Sequence, residues 1–365
     1  MRRSGSERCW AEIDRAALLH NARVARERVG PEAEFLAVVK ANAYGHGMVG
    51  VAKAVQEATG LFGVANLREG LELRASGIAH PILILGPSLP GEQAAINEHG
   101  LIASVSSLEE ARAYTGNPSG INFAIDTGMG RMGCWQDDAL EEFREIAQTP
   151  GLIVHSLSTH LPVADEDASY TESELVQFAE LVREIRRSIP GSYRVHALLS
   201  AGILGFAAHR FDIVRAGLML YGCAPLPDEQ RHLRPVLSLK ARVALLRDLP
   251  AGRNVSYGRT FTTARATRVA TIGAGYADGY PRSLSNRGAA VLIGGKRCPV
   301  LGRITMDLTM VDATSLPEVK VGDEVVLIGK QGDEEIFAAE LAKLAGTIPW
   351  EVFTGIGSRV QRMYL

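Results

Sequence analysis

From Phe35 onward, short unbroken apolar runs alternate with longer stretches in which apolar residues return every three or four positions. Unbroken runs predict strands covered on both faces, and the longer period predicts amphipathic helices. The strands read this way are Phe35–Lys40, Leu61–Ala65, Pro81–Leu85, Leu101–Ser104, Ile121–Asp126, Leu152–Ser158, Arg194–Leu199 and Ile213–Ala216. Helical patterns lie between them. In Asp14–Val29, for example, Leu18, Ala22, Ala25 and Val29 share one face and Asp14 is the N-cap. Asn66–Glu69 and Ser106–Glu109 read as capping boxes, and the longest helix runs from Thr171 to about Ile189, ahead of Pro190-Gly191. Eight strand–helix repeats predict an α/β fold of the (β/α)8 TIM-barrel type, with an open doubly wound sheet as the alternative.

The rhythm breaks at the proline-flanked polar stretch Pro225–Pro235, which predicts a barrel over residues 1–233 and a mainly β domain over 234–365. In the second domain Val236–Leu246, Val269–Ile272, Ala289–Ile293, Lys296–Leu301 and Glu324–Ile328 read as strands, Gly294-Gly295 as a hairpin turn, and about Ala338–Leu344 as a helix. Residues about 9–13 form a further strand that the second domain is free to recruit.

Composition narrows the partners rather than the fold. A formal net charge of −2 gives no reason to expect nucleic acid or an anionic membrane. Met1-Arg2-Arg3-Ser4 is not followed by an apolar stretch, which argues against a secretory signal, and no apolar run is long enough to span a membrane. Cys9, Cys134, Cys223 and Cys298 lie far apart with no C-x-x-C pair, as expected of reduced thiols in a cytoplasm rather than a metal site.

Candidate chemistry falls where barrel enzymes place it, on the loops after the strands. Lys40 ends the first strand, Asp126-Thr-Gly-Met-Gly-Arg131 follows the fifth, and Thr159-His160 the sixth. Ser200-Ala-Gly202 follows the seventh, and Arg215-Ala-Gly217-Leu218 the eighth. A lysine after a strand is ordinarily a solvated end, and a single histidine is ordinarily a satisfied interior residue. Five such groups on one rim make a site the stronger reading.

The segment Phe35-Leu-Ala-Val-Val-Lys40-Ala-Asn-Ala-Tyr44-Gly-His-Gly47 resembles the pyridoxal-phosphate (PLP) lysine motif of the alanine racemase family. Further matches follow in order: D-T-G-M-G-R from Asp126, V-R-x-G-x-x-x-Y-G ending at Gly222, V-S-Y-G at Tyr257, G-Y-A-D-G at Tyr276, and G-R-x-x-M-D at Met306. The resemblance spans nearly the whole chain. It implies a PLP-dependent isomerase that interconverts L- and D-alanine with two bases, supplying D-alanine for peptidoglycan. It makes Lys40 the Schiff-base lysine and one base, and Tyr257 the second base, delivered from the other subunit of a homodimer. Arg131 and the Met306 main chain match the substrate-carboxylate contacts, and Tyr276 matches the access corridor. Arg215 matches the partner of the pyridine nitrogen, with His160 and His196 beside it in a hydrogen-bond chain. Tyr44, Ser200, Gly217 and Leu218 match the phosphate site. An arginine does not give up its proton, so at the ring nitrogen it disfavours the pyridinium and leaves a milder electron sink.

Four positions depart from the commonest family pattern: Ala124 for a lysine that is often carbamylated, Leu199 for an asparagine, Thr305 for a cysteine, and Ser358 for a phosphate-contacting tyrosine. Without a charge at Ala124, Arg131 needs another acceptor, such as a bound anion or the Asn122 side chain. A serine or broad-specificity racemase of the same architecture stays open as an alternative. A fold-related PLP decarboxylase or aldolase is disfavoured by Tyr257 and Arg215.

Overall fold

The protein, seen here as a computed structural model, is described over residues 7–365; the basic Met1–Ser4 stretch lies outside the described residues. The chain divides into two compact units. One holds Ala16–Ala43 and Met48–Arg234, and the other holds Tyr44–Gly47 and Pro235–Leu365 with the described residues up to Arg15.

In the first unit Ile213–Ala216, Glu34–Val38, Leu61–Val64 and Ile82–Ile84 pair in parallel, in that order. A second parallel set runs Ala103–Val105, Ile121–Asp126, Val154–Ser158, Arg194–His196. The sets join at both edges: Leu83 bridges Ile102, and the Arg215 N–H donates to the Leu198 carbonyl at 2.9 Å. Eight strands therefore close into a barrel, and the open-sheet alternative falls away.

The strand runs are apolar where they face the surrounding helices, yet part of the barrel's interior is polar. Asn122 Nδ2 donates to Ser104 Oγ and Ser158 Oγ (3.1 and 2.9 Å), and its Oδ1 accepts from Ser156 Oγ (2.9 Å). All four side chains are buried. A buried polar group is tolerated when its hydrogen bonds are made, and each of these makes one.

Local boundaries differ from the sequence reading in instructive ways. The first strand stops at Val38, and Lys40 opens a turn of left-handed helix: Ala41, Asn42, Ala43 and Tyr44 have φ of 52, 54, 52 and 49°. The box at Asn66 is half made. Asn66 Oδ1 accepts from Glu69 N at 3.1 Å, but the Glu69 carboxylate turns to other amides. The second cap sits one residue later and is half made in the same way, with Ser107 accepting from Glu110 N while the Glu110 carboxylate accepts from Ser106 N, the residue before the cap. The longest helix spans Ala168–Ser188 because Asp167, not Thr171, caps it, its carboxylate accepting from Tyr170 N at 2.9 Å.

The second unit is built on a nine-stranded sheet. Its central Leu237–Leu249 strand pairs antiparallel with Cys9–Ile13 and Glu324–Gln331, and beyond a bulge with Thr267–Ile272. Cys9–Ile13 also pairs in parallel with Gln361–Tyr364. Lys240, half-enclosed between acidic neighbours, bonds both Glu12 (2.9 Å) and Glu324 (3.1 Å) across this sheet. The sequence reading missed the short Pro349–Thr354 helix, whose proline occupies the first turn.

Candidate active site

Lys40 stands on the carboxyl-end rim of the barrel, in a segment held by hydrogen bonds on both sides of it. The Tyr221 hydroxyl donates to the Val38 carbonyl (2.7 Å), Ala43 N donates to the Val39 carbonyl (2.8 Å), and Met48 N donates to Asn42 Oδ1 (2.9 Å). Burial lowers the Lys40 pKa; Arg131 and Arg215 lower it further, and Glu69 works against them. An amine pushed this way keeps more of its neutral, nucleophilic form.

Arg215, on the eighth strand, is 6% exposed. Its Nη2 donates to the carbonyls of Thr159 (2.6 Å) and Ala197 (2.8 Å), and its Nη1 to His196 Nδ1 (3.1 Å). Burial and the nearby Arg131 bring its pKa down to about 10, so it remains a cation. Its Nε is buried without a hydrogen-bond partner. A guanidinium that donates to His196 Nδ1 leaves the histidine's proton on Nε2, which faces Asn122 Oδ1 (3.1 Å) and Ser156 Oγ (3.3 Å). Burial and Arg215 keep His196 neutral. His160 lies in the same electrostatic cluster, its pKa pushed down to about 3 by burial, Arg215, Arg131 and Lys40. No hydrogen bond of its ring joins it to Arg215 among the described residues, so the expected chain contains His196 and not His160.

The remaining barrel residues of interest bind each other through backbone. Ser200 Oγ accepts from Gly217 N (3.0 Å) and Met219 N (3.2 Å), tying the start of the Ser200–Gly205 helix to the turn that carries Leu218. Asp126 Oδ1 accepts from Gly128 N (2.9 Å) and Gly130 N (3.1 Å) and so shapes the loop that ends in Arg131. Asn122 Oδ1 is taken by Ser156 and His196, which removes it as the acceptor for Arg131.

In the second unit the structure brings together the other sequence-predicted residues. Tyr276 N donates to the Thr305 carbonyl (3.1 Å) and Ala277 N to the Met306 carbonyl (3.0 Å). Ser256, beside Tyr257, donates through its hydroxyl to the Arg303 carbonyl at 2.5 Å. Arg359 clamps the group: its Nε and Nη2 reach Asp278 (2.8 and 3.0 Å), and Nη2 also reaches Asp307 (2.8 Å). Ser358 is therefore next to the clamp. Arg362 donates to the carbonyls of Gly45, Ile356, Gly357 and Val360, which anchors the Tyr44 loop to the same C-terminal segment. Burial raises the Tyr44 hydroxyl to about 12 against a hydrogen bond with Trp350. Tyr257 is 70% exposed and Met306 53%. Sequence reasoning missed Glu69, Arg359 and Arg362 as site residues, because the partners that give them that place, Ala41, Asp278 with Asp307, and Gly45, lie far along the chain.

A closed parallel barrel with a desolvated lysine and a buried arginine on its carboxyl-end rim, followed in sequence by a β domain, is the architecture of the barrel-type PLP enzymes. The description "Alanine racemase, N-terminal domain" matches residues 13–225, and "Alanine racemase, C-terminal domain" matches residues 236–364. The chain belongs to the alanine racemase family. It is 42% identical to the alanine racemase of Methylacidiphilum infernorum over 364 residues, covering 98% of this chain and 92% of that one. It is 43% identical to that of Symbiobacterium thermophilum, covering 99% and 98%. Among solved structures, the Bacillus anthracis alanine racemase with bound L-Ala-P superposes with a TM-score of 0.89 at 36% identity, covering 98% of this chain and 95% of that one. The alanine racemase from E. faecalis gives 0.91 at 31% identity, with full coverage of both.

Proposed function

We propose that the protein interconverts L- and D-alanine with PLP held on Lys40, as a homodimer in which each subunit completes its partner's site. The buried, unpartnered Arg215 Nε beside a desolvated lysine carries this reading. An N–H donor stranded in a low-dielectric site is costly unless a ligand acceptor meets it, and a pyridine nitrogen is such an acceptor. The residues present fit PLP. Lys40 offers the amine, Arg215 the ring-nitrogen donor, and Ser200, Gly217, Leu218, Tyr44 and Ser358 the phosphate end. When bound, the cofactor supplies the electron sink that acidifies the amino acid's α-hydrogen.

The chain's own groups do the rest. Arg131 pairs with the substrate carboxylate, helped by the Met306 main chain, while Tyr276 lines the approach. Lys40 Nζ accepts or returns the α-proton on one face. A second base is needed on the other face, and the Tyr257 hydroxyl serves there. In a single chain Tyr257 and Met306 lie largely open, as suits residues that serve a partner's site. His196, held in turn by Asn122, keeps Arg215 oriented, and a neutral His160 adds no second positive charge beside it. The product would be D-alanine for peptidoglycan. We assign the reaction to the cytoplasm on the strength of four free thiols.

The test is to incubate purified protein, PLP and L-alanine, then assay D-alanine enzymatically beside a panel of other L-amino acids. D-Alanine at the highest rate is the expected result. Carbon dioxide or an aldehyde instead of a D-amino acid overturns it.

A further inference from the structure

We propose that Glu174 is a positioning residue for the Asp126–Arg131 loop, acting through Thr127 and standing in for a charged anchor that Ala124 does not provide. The proposal rests on the reading of Arg131 as the substrate-carboxylate residue. Arg131 is exposed, and among the described residues it makes no hydrogen bond or ion pair. Its place is inherited from the loop that carries it.

That loop is seated against the Ala168–Ser188 helix. Gly128 has a φ of 152°, which favours glycine, and its Cα faces the Tyr170 hydroxyl and Glu174 Oε1, which a Cβ there would meet at 2.4 and 3.8 Å. Glu174 is 3% exposed, among the helix's other buried residues Thr171, Leu175, Phe178, Val182 and Ile185. Its Oε1 accepts from Thr127 Oγ1 at 2.5 Å, and its Oε2 is buried with no partner. An apolar side chain would fill this place without the desolvation cost of a carboxyl half unpaired. What the carboxyl adds is the bond to Thr127.

The bond also orders what lies beyond it. Thr127 Oγ1 and Thr159 Oγ1 are 2.7 Å apart. With Thr127 donating to Glu174, the Thr159 hydroxyl donates to Thr127. The Thr159 carbonyl in turn accepts from Arg215 Nη2 at 2.6 Å. The loop after the fifth strand and the loop after the sixth are thus fixed to each other, and through the Thr159 carbonyl both are tied to Arg215 on the eighth strand.

Compare Glu174→Leu, Glu174→Gln and Thr127→Val holoenzymes for alanine KM and kcat, and for amide hydrogen exchange in peptides spanning Gly128 and Gly130. Losing a hydrogen bond to a charged acceptor predicts a rise in KM of about tenfold for Glu174→Leu, larger than the fall in kcat. Faster exchange at Gly128 and Gly130 should accompany it. Glu174→Gln keeps an acceptor and should restore both. Thr127→Val breaks the same bond from the loop side and should reproduce the leucine variant, which covers the case that Glu174→Leu does not fold. Wild-type KM and exchange in Thr127→Val, or a glutamine variant no better than leucine, overturns the proposal. An Arg131→Ala control separates the two readings. Unchanged KM there removes the carboxylate role of Arg131, while the exchange data alone still decide for or against Glu174.

Discussion

Glu69 Oε1 accepts the main-chain N–H of Ala41 at 2.8 Å, one residue past Lys40, while its Oε2 accepts the N–H of Ala65 at 2.7 Å. One carboxylate on the helix after the second strand therefore fixes the chain leaving the first. The turn it holds is expensive. Left-handed helical backbone costs a non-glycine residue about 1–2 kcal/mol, and four such residues follow Lys40 in succession. Contacts brought from elsewhere in the fold must offset that cost.

Removing Glu69 should release the turn. Glu69→Ala is expected to lose about 1.5–3 kcal/mol of stability, the range for a hydrogen bond to a charged acceptor. Glu69→Gln, with one acceptor left, should lose less. Urea denaturation of the two variants measures this, and equal midpoints for wild type and Glu69→Ala would show that the turn stands without the carboxylate.

Borohydride treatment of the PLP-loaded protein should fix the cofactor irreversibly on Lys40. Peptide mass spectrometry locates the adduct. Attachment at another lysine, or protein that ignores added PLP, removes Lys40 from its role.

Subunit mixing tests whether sites are shared. Lys40→Ala and Tyr257→Phe homodimers should each be nearly inactive. Heterodimers of the two should regain one intact site of two, because an isologous dimer carries each site twice. Proven exchange of subunits without recovered activity contradicts a site built from two chains.

Three barrel histidines predict acid sensitivity. Burial lowers His155 to about 4 and, with nearby cations, His160 to about 3, against 6.5 for a free imidazole; His196 moves the same way. Between those values the unfolded chain binds protons that the folded chain does not. Stability should therefore be steady above about pH 7 and fall as pH drops through the range from 6.5 toward 4. Urea midpoints against pH measure the slope. A His160→Gln variant should flatten it, and an unchanged slope would mean that His160 titrates normally in the folded state.

Ser358 belongs, on the reading proposed above, to the phosphate end of the site. Ser358→Tyr should tighten PLP binding, through a charge-assisted hydrogen bond of about 1.5–3 kcal/mol, and lower the ratio of serine to alanine racemisation. Fluorescence titration with PLP and parallel racemisation assays check both effects. No change in either would dismiss this position as a determinant.

The barrel was legible because strands such as Leu61–Ala65 carry their burial in unbroken apolar runs. Its polar interior was not, since one asparagine inside Ile121–Asp126 looks like noise until Ser104, Ser156, Ser158 and His196 surround it. The capping boxes failed in detail because Ser106-Ser107 and Glu109-Glu110 offer two registers of equal local quality, and tertiary contacts chose the later one. Lys40 was legible as chemistry, but the handedness of the backbone after it depends on Glu69 and Asn42. Arg359 went unnoticed for a related reason: Asp278 and Asp307 reach it only through the fold. Tyr257 and Met306 stood out by resemblance alone, as nothing in the pattern around them separates a base from a packing aromatic.

The Cys9–Ile13 strand lies between Leu237–Leu249 and Gln361–Tyr364, with Ile13 opposite Leu237 on one side and Tyr364 on the other. During synthesis this strand emerges before the barrel strands and finds no partner until they have all been made. Its second neighbour, Gln361–Tyr364, is made later than any other strand of this sheet. Every pairing of the barrel except the seam between Ile213–Ala216 and Glu34–Val38 joins strands that follow one another, so most of it can form as it emerges, whereas the sheet is built on long-range contacts, the slower kind. Until then a strand with apolar residues and two unpaired edges stays exposed. A chain stalled before Leu237–Leu249 would therefore present an unpaired Cys9–Ile13 strand with its apolar residues uncovered, a state that quality-control machinery is equipped to recognise.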